Sequence, residues 1–289
     1  MSKRQQHMTL GLIIITAVVC LLFLGKYYSS ILASTLLEPQ TVGAIHNRLL
    51  ETTMGDEVPA APAPPPVDPR PLVAKLPILM YHELGTGPNS LYLPESNFRA
   101  QLTFLRDSGY QPVTMAQAQE MLAQNQIPAK TVVITFDDGY VSFYTKAWPI
   151  LQEFGFPATV YVCPGFADSN PNYLNWQQII TLQENGIEIG SHTMYHPSLL
   201  TCPPDRLTRE ISGSKEALEA KLGVTVKSFC YPSGQCNQQI AQLVESAGYT
   251  SAVTVVPRGA SHSDNGYLLP RIRVPGWASL NVFAKNLNL

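Results

Sequence analysis

The chain has 289 residues, enough for one large domain or two small ones. Its 19 basic and 21 acidic side chains give a formal net charge of -2, and no basic block interrupts that balance. This composition argues against a nucleic acid partner, and nothing in the sequence indicates a protein partner.

The N-terminal segment has the pattern of a membrane anchor. Two basic residues precede an uncharged apolar run from Thr9 to Gly25, and two tyrosines follow it. The pattern predicts a cytoplasmic N-terminus over residues 1–8 and a transmembrane signal-anchor over residues 9–28. The rest of the chain would then lie outside the cytoplasm, on the periplasmic or cell wall side. A signal peptide cleaved near Ala33 is the alternative, which would make the protein secreted.

Residues 29–75 are predicted to be an extended linker. This segment is rich in proline, most densely between Pro59 and Pro66. A proline-rich segment of this kind cannot form a buried apolar core, and it behaves as a semi-rigid spacer. We expect it to hold the following domain away from the membrane.

Residues 76–289 alternate between strand and helix patterns, which predicts a mostly parallel sheet with right-handed crossovers. The predicted strands are 78–81, 132–136, 158–162, 187–190, 226–231, 251–255 and 269–274. The predicted helices are 98–108, 115–124, 148–154, 176–184, 206–222 and 238–247. Seven strands suit an α/β fold of the distorted or incomplete (β/α) barrel type, in which loops after the strands build the active site.

One predicted strand ends in two adjacent carboxylates. The apolar run that begins at Val132 leads into Asp137 and Asp138, and Gly139 then permits a sharp turn. Two neighbouring acids raise each other's pKa and need a cationic partner when they are buried, for which a metal ion is the natural choice. The alternative is an ordinary Asp-Asp-Gly turn that caps the strand before a helix.

Two histidines four residues apart follow another predicted strand. His192 and His196 would lie on one side of a helical turn, where two neutral imidazoles can bind one divalent ion. Together with Asp138 they make a two-histidine, one-carboxylate set with open positions, the arrangement of a hydrolytic zinc site. Two exposed histidines without a shared ligand are the alternative.

Several stretches of this domain resemble known motifs. Three of them resemble the first three motifs of the polysaccharide deacetylases, carbohydrate esterase family 4 with its NodB homology domain: Thr135–Gly139, Ser191–His196 and Phe229–Gly234. Two others resemble the branch that includes biofilm poly-N-acetylglucosamine deacetylases: Tyr81–His82 and Leu269–Val274. The resemblance runs from about residue 76 to about residue 275 and implies the same distorted barrel for a catalytic domain over residues 76–289.

The resemblance also implies a mechanism. Asp138, His192 and His196 would hold a divalent metal ion, with Zn²⁺ preferred, that acts as a Lewis acid. Asp137 would be the general base that takes a proton from water. The backbone N–H of Ser233 would stabilise the tetrahedral oxyanion, because the preceding proline has no N–H to donate.

One departure from the family pattern concerns the base. Many members carry an arginine in the third motif that orients the base, but Cys230 holds the corresponding place here. We expect Arg271 or Arg273 of the last predicted strand to replace it, because a planar guanidinium pairs with a carboxylate through two hydrogen bonds.

A second departure concerns the general acid, whose family motif is not evident. His262 is one candidate for the group that protonates the leaving amine, His82 is another, and Asp137 could return the proton itself. His82 could instead bind the substrate or hold a loop by hydrogen bonds. Tyr231 is expected to form a wall for the sugar ring or, alternatively, to pack in the core at a strand end.

Four of the five cysteines lie in the exported domain, and an even number in an oxidising compartment suggests disulfides. We expect Cys230 to pair with Cys236 and Cys163 with Cys202. The other two connectivities and free buried thiols stay open.

The sequence therefore predicts a membrane-tethered, metal-dependent hydrolase that removes N-acetyl groups from an extracytoplasmic polysaccharide containing N-acetylglucosamine. Poly-N-acetylglucosamine and peptidoglycan are the expected substrates. An O-acetyl polysaccharide esterase and a catalytically weak module that binds wall polysaccharide are the alternatives.

Overall fold

A computed structural model describes residues 68–287 of the chain. The predicted cytoplasmic segment (1–8), signal-anchor (9–28) and most of the linker (29–75) lie outside these residues. Among the residues described, no helix is both long and apolar enough to cross a bilayer.

The domain is built on one sheet of eight parallel strands. Their bounds are β1 Ile78–Tyr81, β4 Gln111–Val113, β5 Thr131–Phe136, β6 Thr159–Val162, β7 Glu188–Ser191, β8 Ser228–Cys230, β9 Ser251–Val253 and β10 Ile272–Arg273. Seven of them follow one another in the order β10, β1, β5, β6, β7, β8, β9, and β4 pairs with the start of β5. Two short strands form a separate pair, β2 Glu83–Leu84 and β3 Tyr92–Leu93.

Helices connect the strands and cover the sheet. Their bounds are α1 Glu95–Asp107, α2 Met115–Ala123, α3 Trp148–Phe154, α4 Trp176–Glu184, α5 Pro204–Leu222, α6 Gln238–Ser246 and α7 Leu280–Asn286. A capping box begins α2, in which Thr114 and Gln117 bond each other's backbone N–H groups. All six predicted helices are present, whereas β4 and α7 were not predicted.

The sheet curves far enough that its two edges approach each other. Val253 at the end of β9 forms a parallel bridge with Leu269, and two residues of β10 pair with β1. The chain from residue 269 to residue 273 therefore spans the gap between β9 and β1. The seven predicted strands and the distorted (β/α) barrel are confirmed in this region of the chain.

Three central strands of the sheet are covered on both sides. Every residue of β1, β5 and β6 is buried, which explains why these strands read as continuous apolar runs in the sequence. Parallel strands bring all of their carboxyl ends to one rim. The residues after β1, β5, β7 and β8 therefore meet at the same end of the barrel.

Candidate active site

The turn after β5 separates the two neighbouring carboxylates. Asp138 and Gly139 both adopt left-handed backbone conformations, with φ values of 71° and 74°. A Cβ added at Gly139 would stand only 2.8 Å from the Cγ1 of Val162, so the turn has no room for a larger residue. The turn leaves Asp137 buried at the top of the barrel and Asp138 partly exposed.

Asp137 is paired with Arg271, which is completely buried. The two terminal guanidinium nitrogens donate to the two carboxylate oxygens, each at 2.7 Å. Further donation to the Thr254 carbonyl and the Thr135 hydroxyl fixes the guanidinium plane. Burial alone would raise the pKa of Asp137, but the charge and hydrogen bonds of Arg271 outweigh it and hold that pKa well below its usual range. Asp137 is therefore an oriented carboxylate.

The two arginines of the last predicted strand, 269–274, have different surroundings. Arg273 is exposed, lines the cavity above the buried pair, and donates to the Ser90 hydroxyl at 3.2 Å. Residues two apart in a strand point to the same face, and the side chains of both arginines reach the site. Arg271 is the one that contacts Asp137, and it also donates to the sulfur of Cys230 at 3.2 Å.

Asp138 faces both histidines. Its Oδ1 atom lies 3.3 Å from the Nε2 atom of His192 and 3.4 Å from the Nε2 atom of His196. The histidines do not share a helical turn as predicted: Thr193 and His196 have φ values of 67° and 56°, which are incompatible with a helix. The Thr193 hydroxyl accepts a hydrogen bond from the His196 N–H and holds this irregular turn.

The hydrogen bonding of His192 suits a metal ligand. The Nδ1 atom of His192 lies 2.7 Å from the Cys230 carbonyl, which can only accept, so Nδ1 carries a proton and Nε2 is the ring nitrogen that faces Asp138 and can bind a metal ion. Asp138, His192 and His196 thus fit a divalent metal ion. A second cluster combines Asp137, His192 and Cys230, but the cationic side chain of Arg271 bonds two of its members and opposes a metal there.

These groups surround a cavity of about 280 Å³. It is lined by Met80, His82, Leu91, Asp137, Asp138, His192, His196, Ser233, Val255 and Arg273. A larger cavity of about 520 Å³ lies at the opposite end of the barrel, but neither an acidic side chain nor a histidine lines it.

The turn after β8 presents one backbone donor to this cavity. Pro232 has no N–H, and the N–H groups of Gly234 and Gln235 already donate to carbonyls of the same turn. Within this turn, the N–H of Ser233 is therefore the donor left for a substrate. Ser233 itself has a φ of 53° and lines the cavity.

Of the two histidines considered as acid, one lies in the cavity. His82 lines it, with its Nε2 atom 3.9 Å from the Oδ2 atom of Asp137. Burial lowers the pKa of His82, against the opposing effect of the two aspartates. His262 is exposed and bonds the Leu122 carbonyl at the end of α2, and it does not line the cavity.

Tyr231 does not form a wall for a sugar ring, so that prediction is wrong. Its side chain is completely buried, packs edge-on against Phe229, and its hydroxyl donates to the Tyr267 carbonyl at 2.9 Å. Tyr231 instead packs in the core at a strand end, which was the alternative. Leu91 and Val255 line the cavity instead; neither belongs to a motif, although Val255 ends a predicted strand.

The structure contradicts both predicted disulfides. The four described cysteines, Cys163, Cys202, Cys230 and Cys236, are all free. The buried pair has other partners, because the Cys163 thiol donates to the His192 carbonyl and Cys230 accepts from Arg271. Burial raises the pKa of Cys163 to about 12 and also raises the pKa of Cys230, which disfavours the reactive thiolate.

Fold and site together define a class: a parallel (β/α) barrel hydrolase with a candidate metal site, an oriented carboxylate and a backbone donor in one cavity. The family described as Polysaccharide deacetylase matches residues 102–252, more than half of the chain. The chain belongs to the polysaccharide deacetylase family, and a de-N-acetylase activity fits this membership.

Individual relatives agree with this membership. One relative is YxkH of Bacillus subtilis (strain 168), whose name describes it as a polysaccharide deacetylase. It is 38% identical to this chain over 205 residues, which are 70% of this chain and 73% of that protein. The poly-beta-1,6-N-acetyl-D-glucosamine N-deacetylase of Escherichia coli (strain K12) is 27% identical over 66% of this chain, but the match spans only 35% of that enzyme. The Streptococcus pyogenes deacetylase PplD, solved with acetate, is similar at 30% identity and a TM-score of 0.71, over 74% of this chain and 98% of that one.

Proposed function

We propose that this protein is a metal-dependent de-N-acetylase that acts on an extracytoplasmic polysaccharide containing N-acetylglucosamine. The observation that carries the proposal is the division of labour between two adjacent carboxylates. Asp138 faces two imidazoles in a metal-binding arrangement, whereas Asp137 is held by Arg271 and stays out of that set. Such a pair suits amide hydrolysis, which needs an activated carbonyl and a separate base.

The residues have distinct tasks in this reaction. Asp138, His192 and His196 would hold a divalent ion, with Zn²⁺ preferred, which would supply Lewis-acid activation of the carbonyl and of water. Asp137 accepts the proton of the attacking water, and Arg271 keeps that carboxylate in position. The N–H of Ser233 donates to the oxygen that becomes negatively charged.

Poly-N-acetylglucosamine is the substrate that we favour, with peptidoglycan as the second. The named activity of the Escherichia coli relative supports a poly-N-acetylglucosamine substrate, and the acetate bound to the Streptococcus pyogenes relative is the product expected of deacetylation. The apolar segment near the N-terminus and the proline-rich linker support a domain tethered to the membrane and facing such polymers.

The first test is acetate release by the full chain, stripped of metal and reloaded with zinc, on N-acetylglucosamine oligomers and on peptidoglycan. We expect zinc-dependent release. Asp137→Asn should lower the rate by about a hundredfold or more because the water loses its base, while bound zinc stays stoichiometric. Undiminished release by this variant would refute the role of Asp137. Release from neither substrate by zinc-loaded wild-type protein would favour an esterase or a binding module.

His82 is proposed as the acid that protonates the leaving amine, because it is the histidine outside the metal set that lines the cavity. Burial lowers its pKa, but the Asp137 carboxylate 3.9 Å away opposes this effect and favours the protonated ring. His82→Gln should reduce the rate of acetate release by about a hundredfold. His262→Gln is the matched control and should change the rate by less than about twofold, since His262 bonds a distant carbonyl. Equal rates in the two variants would leave Asp137 as the group that returns the proton.

A further inference from the structure

Four aromatic side chains form a continuous strip beside the cavity. Their order is Tyr195, Phe166, Tyr173 and Tyr140, and successive ring centroids are 6.1, 4.7 and 5.1 Å apart. We call this set the aromatic strip. Tyr195 is 54% exposed and the other three are partly exposed, so the strip lies at the surface and not in the core.

Both ends of the aromatic strip belong to the turns that carry the metal-binding residues. Tyr195 immediately precedes His196, and Tyr140 comes two residues after Asp138. The middle of the strip comes from the loop after β6, which lies between β5 and β7 in the sheet. The strip therefore borders the metal set along one side.

Backbone contacts hold the aromatic strip in place. The Tyr195 ring lies flat against Gly165, where an added Cβ would stand 2.2 Å from the ring, and Gly165 donates to the carbonyl of Met194. The N–H of Tyr195 donates to Glu210, a buried side chain of α5, at 2.9 Å. At the other end, the loop bearing Tyr173 pairs with the backbone at Tyr140.

The ring of Tyr195 is exposed and held in one position, and burial in the core does not account for it. We propose that the aromatic strip binds the sugar units adjacent to the N-acetylglucosamine unit being deacetylated. A pyranose ring has an apolar C–H face and a polar rim, which match the flat face and the hydroxyl of tyrosine. The strip is longer than one sugar ring, so its ligand is an oligosaccharide.

This inference rests on the proposed function for the identity of the ligand, but its test does not depend on turnover. The affinity of the zinc-loaded full chain is measured by calorimetry for a monomer and a hexamer of glucosamine, the deacetylated product. Tyr195→Ala should weaken hexamer binding by roughly tenfold, the effect of one stacked ring, and should change monomer binding far less. Tyr173→Ala, at the middle of the strip, should act in the same direction.

Two controls separate stacking from other effects. Tyr195→Phe keeps the ring and should retain at least about a third of the hexamer affinity. Leu243→Ala removes an exposed apolar side chain of α6 outside the strip and should leave that affinity unchanged. Equal losses for monomer and hexamer in Tyr195→Ala, or a Tyr195→Ala variant that binds like Leu243→Ala, would overturn the proposal. Absence of acetate release with these binding differences intact would instead count against the proposed reaction.

Discussion

Arg271 shows how a single residue can take over a task from another part of the fold. The family pattern described above has an arginine in the third motif that orients the base. Here Cys230 occupies that position, and its sulfur accepts a hydrogen bond from Arg271. Arg271 comes from the far end of the domain and reaches Asp137 because β10 pairs with β1 beside β5. The Arg271 side chain is completely buried, and the negative charge of Asp137 is the main interaction that offsets the cost of burying its positive charge.

The buried pair makes a prediction about stability. Arg271→Met should lower the free energy of unfolding by about 3–5 kcal/mol, because it leaves the buried Asp137 carboxylate without its partner. Arg273→Met is the matched control, two residues away and exposed, and should cost less than about 1 kcal/mol. Urea denaturation of both variants measures the difference. Similar losses would mean that the pair does not contribute as its burial implies.

At the level of elements, the sequence predicted strands better than turns. Continuous apolar runs marked β1, β5 and β6 because these strands are covered on both faces. The spacing of His192 and His196 suggested a helical turn, but the left-handed conformations at Thr193 and His196 bring both rings to Asp138 by another path. Four-residue spacing alone cannot distinguish these two backbones.

Other features of the structure could not be predicted from a single sequence. β4 is only three residues long, has a proline at its centre, and is defined by its pairing with β5. Which of Arg271 and Arg273 pairs with Asp137 depends on how deeply each side chain is buried in the barrel. Strand alternation does not predict this, because residues two apart lie on the same face. The even number of cysteines suggested disulfides. A count cannot reveal that the thiols of Cys163 and Cys230 have other hydrogen-bond partners in the fold.

At the level of the whole molecule, the candidate metal site links distant parts of the chain. Asp138 follows β5, whereas His192 and His196 follow β7, and β6 lies between these strands in the sheet. An ion bound to all three would fasten two loops that are more than 50 residues apart in sequence. Because the unfolded chain does not hold these three side chains together, metal binding should favour the folded state.

Thermal unfolding measures this coupling without any substrate. Zinc at about 100 times its dissociation constant should stabilise the fold by about 2.7 kcal/mol, which corresponds to roughly 5–10 °C in Tm for a domain of this size. His196→Ala should lose most of this shift, because it removes one of three ligands. His262→Ala removes a histidine outside the cavity and should keep the shift, as should Asp137→Asn, since Asp137 is paired with Arg271. A zinc-induced shift that survives in His196→Ala would place the ion elsewhere. A shift lost in Asp137→Asn but kept in His196→Ala would point to the buried cluster of Asp137, His192 and Cys230.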